Sequence, residues 1–158
     1  MVPYTRLEGV LRVVKRDHQR VVGLLASLVS QADPILRWEI FDDLRRTLDA
    51  HARAERAAFY PLFDSDRLLP SALKADDEHG EIDAITDELA ATRPSAASWY
   101  ELSKQLRQRV EAHLASEEGA LFEAAHAMLP ATTLRRLGDH MLQVRGDRAR
   151  DGGSLIGF

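Results

Sequence analysis

Apolar residues recur along this chain at intervals of three and four, the spacing that places side chains on one face of an α-helix. Five stretches show the pattern, and short connections that contain or adjoin a proline separate four of them from the preceding stretch. The predicted helices cover residues 7 to at least 28, 34 to about 63, 70 to about 92, 98 to at least 121, and about 131 to 148.

Three local patterns predict where helices begin. Thr5-x-x-Glu8 and Ser98-x-x-Glu101 have the spacing of capping boxes, the second of them at the start of the fourth helix or inside it. Asp33-Pro34 supplies a capping carboxylate followed by a proline in the first turn.

Composition supports an all-α fold. The chain has 158 residues, of which 45% are hydrophobic and 29% charged, and this suits one globular domain. Nine glycines and six prolines are few for a β protein that needs many turns. We therefore expect an up-down-up-down four-helix bundle with a short additional C-terminal helix, in one domain over residues 1–150, followed by a flexible glycine-rich tail at 151–158.

The same composition excludes several classes of function. The absence of cysteine excludes disulfides, thiolate zinc sites, cysteine-ligated iron–sulfur clusters and a cysteine nucleophile. A formal net charge of −4 with interspersed signs argues against nucleic acid as the partner. No apolar run approaches the roughly 20 residues that a bilayer span needs, and residues 1–8 lack the apolar core of a signal peptide. We expect a cytoplasmic protein without a membrane partner.

A repeat of histidine and glutamate carries the candidate chemistry. His18 is followed after 33 residues by His51-x-x-x-Glu55, and His79 is followed after 34 residues by His113-x-x-x-Glu117. A histidine and a carboxylate four apart on a helix project from the same face and can reach one metal ion. Two such pairs predict a dinuclear site.

The position of these six residues in the apolar stripes strengthens that prediction. An unpaired carboxylate in a core costs several kcal/mol or changes its protonation state. A cation bound by imidazole and carboxylate groups compensates for such burial, and the nitrogen and oxygen ligands fit Fe, Mn or Zn. The alternative is a metal-free structural bundle whose polar residues pair among themselves.

The motifs together resemble the hemerythrin-like, HHE cation-binding domain over about residues 5–130. The resemblance rests on several short strings of sequence, which are Asp17-His18, His51-Ala-Arg-Ala-Glu55, Phe59-Tyr60-Pro61-Leu62, Glu78-His79, His113-Leu-Ala-Ser-Glu117-Glu118 and Leu121-Phe122. It implies a four-helix bundle that holds two bridged Fe ions. By position, the resemblance makes the four repeat histidines terminal ligands and the two glutamates bridges.

One position departs from the family pattern. Oxygen-carrying hemerythrins have a fifth histidine one turn before the helix-three histidine, where this chain has Ala75. A solvent molecule, Asp76 or Asp83 could replace the missing ligand. We favour Asp83 of the two carboxylates, because His79-x-x-x-Asp83 is a shortened form of the glutamate motif, although a solvated acidic residue is the alternative interpretation.

The leading functional hypothesis is a non-haem di-iron protein that binds or reacts with dioxygen, peroxide or nitric oxide, with peroxide decomposition as its candidate enzymatic activity. Without the fifth histidine, we expect poorer reversible oxygen storage than in a five-histidine carrier. A second hypothesis is an iron- or oxygen-sensing module without turnover, for which the arginine-rich fifth helix would offer a docking face to an unidentified protein partner.

Overall fold

The computed structural model describes residue 3, residues 7–64 and residues 67–153, with side chains described as far as residue 146. Within these residues the regular structure is entirely helical, which confirms the predicted all-α fold. The α-helices are α1 (Val10–Ser30), α2 (Pro34–Ala58), α3 (Leu69–Ala91), α4 (Ala97–Ser116), α5 (Phe122–Met128) and α6 (Ala131–Gly153). A short 3₁₀ helix at Tyr60–Phe63 follows α2, and a π-helix at Glu117–Leu121 joins α4 to α5.

The helix starts agree with the sequence prediction only in part. Asp33 caps α2 as predicted, and its carboxylate accepts hydrogen bonds from the amides of Ile35 and Leu36 at 2.8 and 3.2 Å. The Ser98 pattern does not cap α4, because Ala96 is the cap residue and makes no side-chain hydrogen bond, while Ser98 lies inside the first turn. Thr5 of the other predicted capping box lies outside the described residues.

Two boundaries also differ from the prediction. Helix α2 ends at Ala58, and the stretch to Phe63 that the periodicity joined to it is a tighter 3₁₀ turn containing Pro61. Helix α6 runs to Gly153, so the first three residues of the predicted tail are helical, whereas residues 154–158 lie outside the described residues.

The first four helices alternate in direction around two apolar cores. The first core includes Val10, Val14, Ala54, Phe59, Phe63, Ala75, Leu121 and Phe122. The second core includes Val21, Leu25, Phe41, Leu48, Ile82, Leu89, Trp99 and Val110. Along α1 and α3 the chain passes from the first core to the second, and along α2 and α4 it passes back. This order is that of an up-down-up-down bundle.

Helix α6 packs across α1 and α2 and completes the first core with Leu134 and Met141. Its approach to α1 depends on two glycines. A Cβ at Gly138 would lie 2.7 Å from the carbonyl carbon of Gly9, and Gly9 itself has a φ of 54°. Within residues 7–64 and 67–153, no helix is both long and apolar enough to cross a membrane.

Candidate metal centre

The six repeat residues form a polar layer between the two cores. Each histidine stands where its helix changes from one core to the other, so the antiparallel arrangement brings all four to one level. All six side chains belong to residues that are at most 3% exposed: His18, His51, Glu55, His79, His113 and Glu117. The structure thus places these residues together and inside, as the sequence pattern predicts, while their role as metal ligands stays a prediction.

Their ligand atoms fall into two groups that share both glutamates. One group is His18, His51, Glu55 and Glu117, and the other is Glu55, His79, His113 and Glu117. Within each group the ligand atoms all lie within 4.8 Å of one another. This is the arrangement that two neighbouring cations with two shared carboxylates require.

Each glutamate directs one oxygen to each group. Glu55 Oε1 lies 3.0 Å from His51 Nε2, and its Oε2 lies 2.9 Å from His79 Nε2. Glu117 Oε1 lies 3.3 Å from His113 Nε2, and its Oε2 lies 3.3 Å from His18 Nε2. Both carboxylates therefore span the two groups, one from each half of the sequence repeat.

Several of these atoms have no hydrogen-bond partner among the described residues, although they are fully buried. They are the Nε2 atoms of His18, His51 and His113, Glu55 Oε1 and Glu117 Oε2. Leaving a buried polar atom unsatisfied costs about 1–3 kcal/mol, and more for a charged group. Five such atoms converge on one layer. They fit a site for cations, because each of them can bind a cation as a ligand.

A ring of outer carboxylates orients three of the four histidines through their Nδ1 atoms. His18 Nδ1 contacts Glu118 at 2.8 Å, His51 Nδ1 contacts Asp17 at 3.3 Å, and His113 Nδ1 contacts Glu78 at 2.8 Å. Since a carboxylate only accepts hydrogen bonds, Nδ1 carries a proton in each pair, and Nε2 faces the centre. Hydrogen bonds of this kind fix the ring orientation and raise the basicity of metal-binding histidines.

Sequence reasoning missed this ring, although a signal existed. Asp17 and Glu78 directly precede His18 and His79, and neighbours on a helix point about 100° apart. That rotation turns each carboxylate away from its own neighbour and toward the histidine of the next helix, His51 or His113.

Each outer carboxylate also has a basic partner. Lys15 donates to Glu118 at 2.6 Å, and Lys74 lies 3.5 Å from Glu78. Asp17 accepts a hydrogen bond from Arg145, which belongs to α6. Helix α6 therefore contacts one of the outer carboxylates of the site, in addition to packing against the first core.

The π-helix lies directly at the site. Glu117 and Glu118 are its first two residues; Glu117 faces the centre, while Glu118 reaches His18 on α1. One-turn π segments inside α-helices occur frequently at functional sites. Nothing in the sequence pattern predicted it.

Protonation balances the charge of the layer where a cation does not. Burial by itself would lower the pKa of His51, but the charge of Glu55 and the hydrogen bond to Asp17 outweigh it and raise the pKa to about 9. The pKa of His18 is also raised despite burial, by Glu117, Glu118 and Glu55. Burial would raise the pKa of Glu55, yet His51, His18 and His79 hold it well below its usual range. Cation binding must therefore displace protons.

The structure places the favoured replacement for the missing ligand outside both ligand groups. Asp83 is exposed and lines a surface pocket of about 420 Å³ together with Arg45 and Arg46. Helix α3 runs antiparallel to α2 and α4. The residue four positions after His79 therefore lies farther along the bundle from the level of Glu55. Asp76 is not part of either ligand group, and it pairs with Arg56 at 2.5 Å.

A buried tyrosine contacts three of the six clustered residues. Ala75 is buried in the first core, and so is Tyr60. The Tyr60 hydroxyl lies 2.5 Å from Glu117 Oε1, 2.7 Å from His79 Nε2 and 3.1 Å from Glu55 Oε2. Burial and the two neighbouring carboxylates raise the pKa of Tyr60 well above its usual value.

Comparison with known proteins agrees with this geometry. The family model described as the hemerythrin HHE cation binding domain matches residues 9–125. The chain belongs to this family. The match covers all six clustered residues and ends before α6, so the helix that contributes Arg145 lies beyond the matched residues.

Two known proteins are similar to this HHE domain. A protein from Nostoc sp. named DNA nickase is 31% identical over 112 residues, which cover 71% of this chain but only 32% of that protein. The chain thus spans about a third of that relative's length. The crystal structure of a hemerythrin HHE cation binding domain-containing protein from Mycobacterium kansasii superposes with a TM-score of 0.77 at 24% identity. The superposition covers 89% of this chain and 90% of that one, and it shows that the two chains share the fold.

Proposed function

We propose that this HHE domain is a non-haem di-iron protein that binds or reacts with small oxidants, namely dioxygen, peroxide or nitric oxide. The observation that carries the proposal is the placement of one oxygen of Glu55 and one of Glu117 in each ligand group. Iron, rather than manganese or zinc, is proposed because of the family, since the donor set suits all three metals.

The roles of the residues follow from the two groups. His18 and His51 would hold one ion, His79 and His113 the other, and Glu55 and Glu117 would bridge them. When bound, an iron pair supplies a centre that takes up a small oxidant and exchanges electrons between ferrous and ferric states. The protein's own contribution is to orient three of the four imidazoles through Asp17, Glu78 and Glu118, and to exclude bulk water with the two cores.

The surroundings of the site favour small molecules. The ring of Phe122 stacks on His18 at 6.0 Å between centroids, and Phe59 packs edge-on against Phe122. A pocket of about 400 Å³ between α1 and α4 reaches His18, and one of about 660 Å³ between α1, α2 and α6 reaches His51. Because both histidines are nearly fully buried, only ligands of a few atoms suit a route past them.

Peroxide decomposition is the enzymatic form of this proposal. The disproportionation of hydrogen peroxide to water and dioxygen needs no external reductant, so a small domain can carry it out alone. The absence of a histidine at Ala75 supports reactivity over storage, because oxygen-carrying hemerythrins have a histidine at that position.

The test begins with metal-free protein loaded with ferrous iron without oxygen. We expect about two irons per chain by elemental analysis, a change in the near-ultraviolet spectrum on adding peroxide, and evolution of dioxygen. A His126→Ala/His140→Ala variant, which removes only exposed histidines, should behave like the wild type. Binding of one ion or none would refute the di-iron proposal, and many cycles of oxygen binding and release without oxidation would refute the reactive site.

A sensor function is the second candidate, and the contact between Arg145 and Asp17 favours it. Through Asp17 and His51, α6 is linked to the layer that would hold the ions. Metal loading should then slow hydrogen exchange in the last described turns of α6 in the wild type but not in Arg145→Met. Exposed Arg136, changed to methionine on the same helix, is the matched control. Equal exchange with and without metal would argue against the sensor.

A further inference from the structure

The Tyr60 hydroxyl occupies a position inside the second ligand group. Tyr60 follows α2 in the 3₁₀ turn, and its hydroxyl reaches back to residues of α2, α3 and the π-helix. The three atoms that its oxygen contacts belong to Glu55, His79 and Glu117, all members of the group that also contains His113. The oxygen therefore lies among the donor atoms of one site.

The Tyr60 hydroxyl has more acceptors nearby than it has protons. A phenol has one proton to donate, whereas the carboxylates of Glu55 and Glu117 can only accept. That proton serves one of the two carboxylate contacts, and His79 Nε2, when it carries a proton, donates to Glu55 Oε2 at 2.9 Å or to the phenol oxygen at 2.7 Å. Four possible ligand atoms thus converge on one point, as donor atoms do around a cation.

The two ligand groups also differ in what surrounds them. Each has two histidine nitrogens and two shared carboxylates, but only the second has an additional polar atom from Tyr60. The second group is also the one next to Ala75, which lies one turn before His79 and whose methyl group cannot supply a ligand atom.

We propose that Tyr60 is a metal ligand, whose phenolate oxygen joins Glu55, His79, His113 and Glu117 around the second ion in place of the nitrogen absent at Ala75. This assignment rests on the proposed function, because it requires a bound metal. On coordination the O–H bond of Tyr60 is replaced by an oxygen–metal bond, and the proton passes to solvent. An anionic oxygen donor favours ferric over ferrous iron, which opposes reversible oxygen storage.

The decisive measurement is the colour of the ferric protein. Phenolate bound to ferric iron gives a visible charge-transfer band, and excitation in that band enhances the ring vibrations of the tyrosine in the Raman spectrum. We load the metal-free chain with ferrous iron and oxidise it in air. The wild type should show the band, and Tyr60→Phe should lose it while still binding about two irons with unchanged helical circular dichroism.

Two further proteins make the result specific. The chain has three tyrosines, so a Tyr4→Phe/Tyr100→Phe variant leaves Tyr60 alone and must keep the band. It also tests the assignment should Tyr60→Phe fold poorly. Ring-deuterated tyrosine in that double variant should shift the enhanced vibrations.

The possible outcomes separate the two proposals. Two bound irons in the wild type without a phenolate band, or a band that survives in Tyr60→Phe, would overturn the ligand role of Tyr60 and leave the di-iron proposal standing. Failure of the wild type to bind iron would overturn both.

Discussion

At the residue scale, the adjacent residues Glu117 and Glu118 have different roles. Glu117 contacts histidines of both ligand groups and is 1% exposed, whereas Glu118 accepts hydrogen bonds from the outer nitrogen of His18 and from Lys15. In the π-helix, two consecutive carboxylates reach the same site: Glu117 lies among the ligand groups, and Glu118 contacts the outer nitrogen of His18. Their functions can therefore be separated by matched substitutions.

Glu117→Gln should abolish occupancy of both ions, because an amide cannot bridge two cations. Glu118→Gln should still bind both ions, but with an affinity roughly 10–100-fold lower. This is the usual effect of losing a hydrogen-bond partner of a metal-binding histidine. Competition with a coloured chelator measures both affinities, and exposed Glu101→Gln serves as control. Equal losses for the two site variants would contradict the separate roles.

The pH dependence of the metal-free protein follows from His51. Its pKa in the folded state, about 9, exceeds the unfolded value near 6.5, so protonation stabilises the fold below about pH 6.5. This contribution, on the order of 3 kcal/mol, should be lost as pH rises through 9. Glu55 acts oppositely, since its lowered pKa contributes stability that disappears in acid.

Urea unfolding of chelator-treated protein between pH 5 and 10 tests this expectation. The free energy of unfolding should fall from about pH 6.5 to 9, and His51→Gln should flatten that fall. Iron affinity should change in the opposite direction, because protons and metal compete for the same nitrogens. A metal-free protein that gained stability over this range would contradict the expected linkage.

At the scale of elements, α6 depends on close backbone contact with α1. The amide nitrogen of Val10 and the carbonyl carbon of Gly9 would lie 2.8 and 2.7 Å from a Cβ on Gly138. Backbone atoms cannot yield as a flexible side chain would. The docking of α6, and with it the contact of Arg145 with Asp17, thus requires glycine at this position.

Gly138→Ala should lower the free energy of unfolding by about 1–3 kcal/mol, the usual effect of overpacking. Gly146→Ala on the same helix meets nothing within 4 Å and should be neutral or stabilising by up to about 1 kcal/mol, because alanine favours helix. Denaturant unfolding measures both, and a destabilisation of similar size in the two variants would argue against the contact.

At the scale of the whole molecule, the polar layer divides the bundle into two apolar cores held together by the same four helices. The buried atoms without partners lower the stability of the fold when no cation is bound. A ligand that binds only the folded state stabilises it in proportion to occupancy. Metal and fold should therefore be linked.

Removing metal with a chelator should lower the melting temperature by roughly 5–10 °C, if the metal is present at about 100 times its dissociation constant. Differential scanning calorimetry of loaded and stripped protein measures the shift, and His51→Ala should show little or none. Identical melting of the two forms would favour the metal-free structural bundle.

Local chemistry allowed much of this protein to be predicted from its sequence. Helical periodicity located the helices of the bundle, because burial of an apolar stripe depends on spacing alone. The repeat of histidine and glutamate likewise identified the six residues of the buried layer, since positions four apart share a face. The cap at Asp33 belongs here too, as its hydrogen bonds involve only neighbours in sequence.

Other features depend on the relative direction and rotation of packed helices, which spacing within one helix does not encode. The antiparallel course of α3 carries Asp83 to the surface, and the 3₁₀ turn returns Tyr60 to the centre. Packing also pairs Asp17 and Glu78 with histidines of neighbouring helices, and brings Arg145 to Asp17 from 128 residues away. The sequence by itself determined which polar groups are buried together; only the tertiary structure decided what surrounds them, because those contacts join residues distant in the chain.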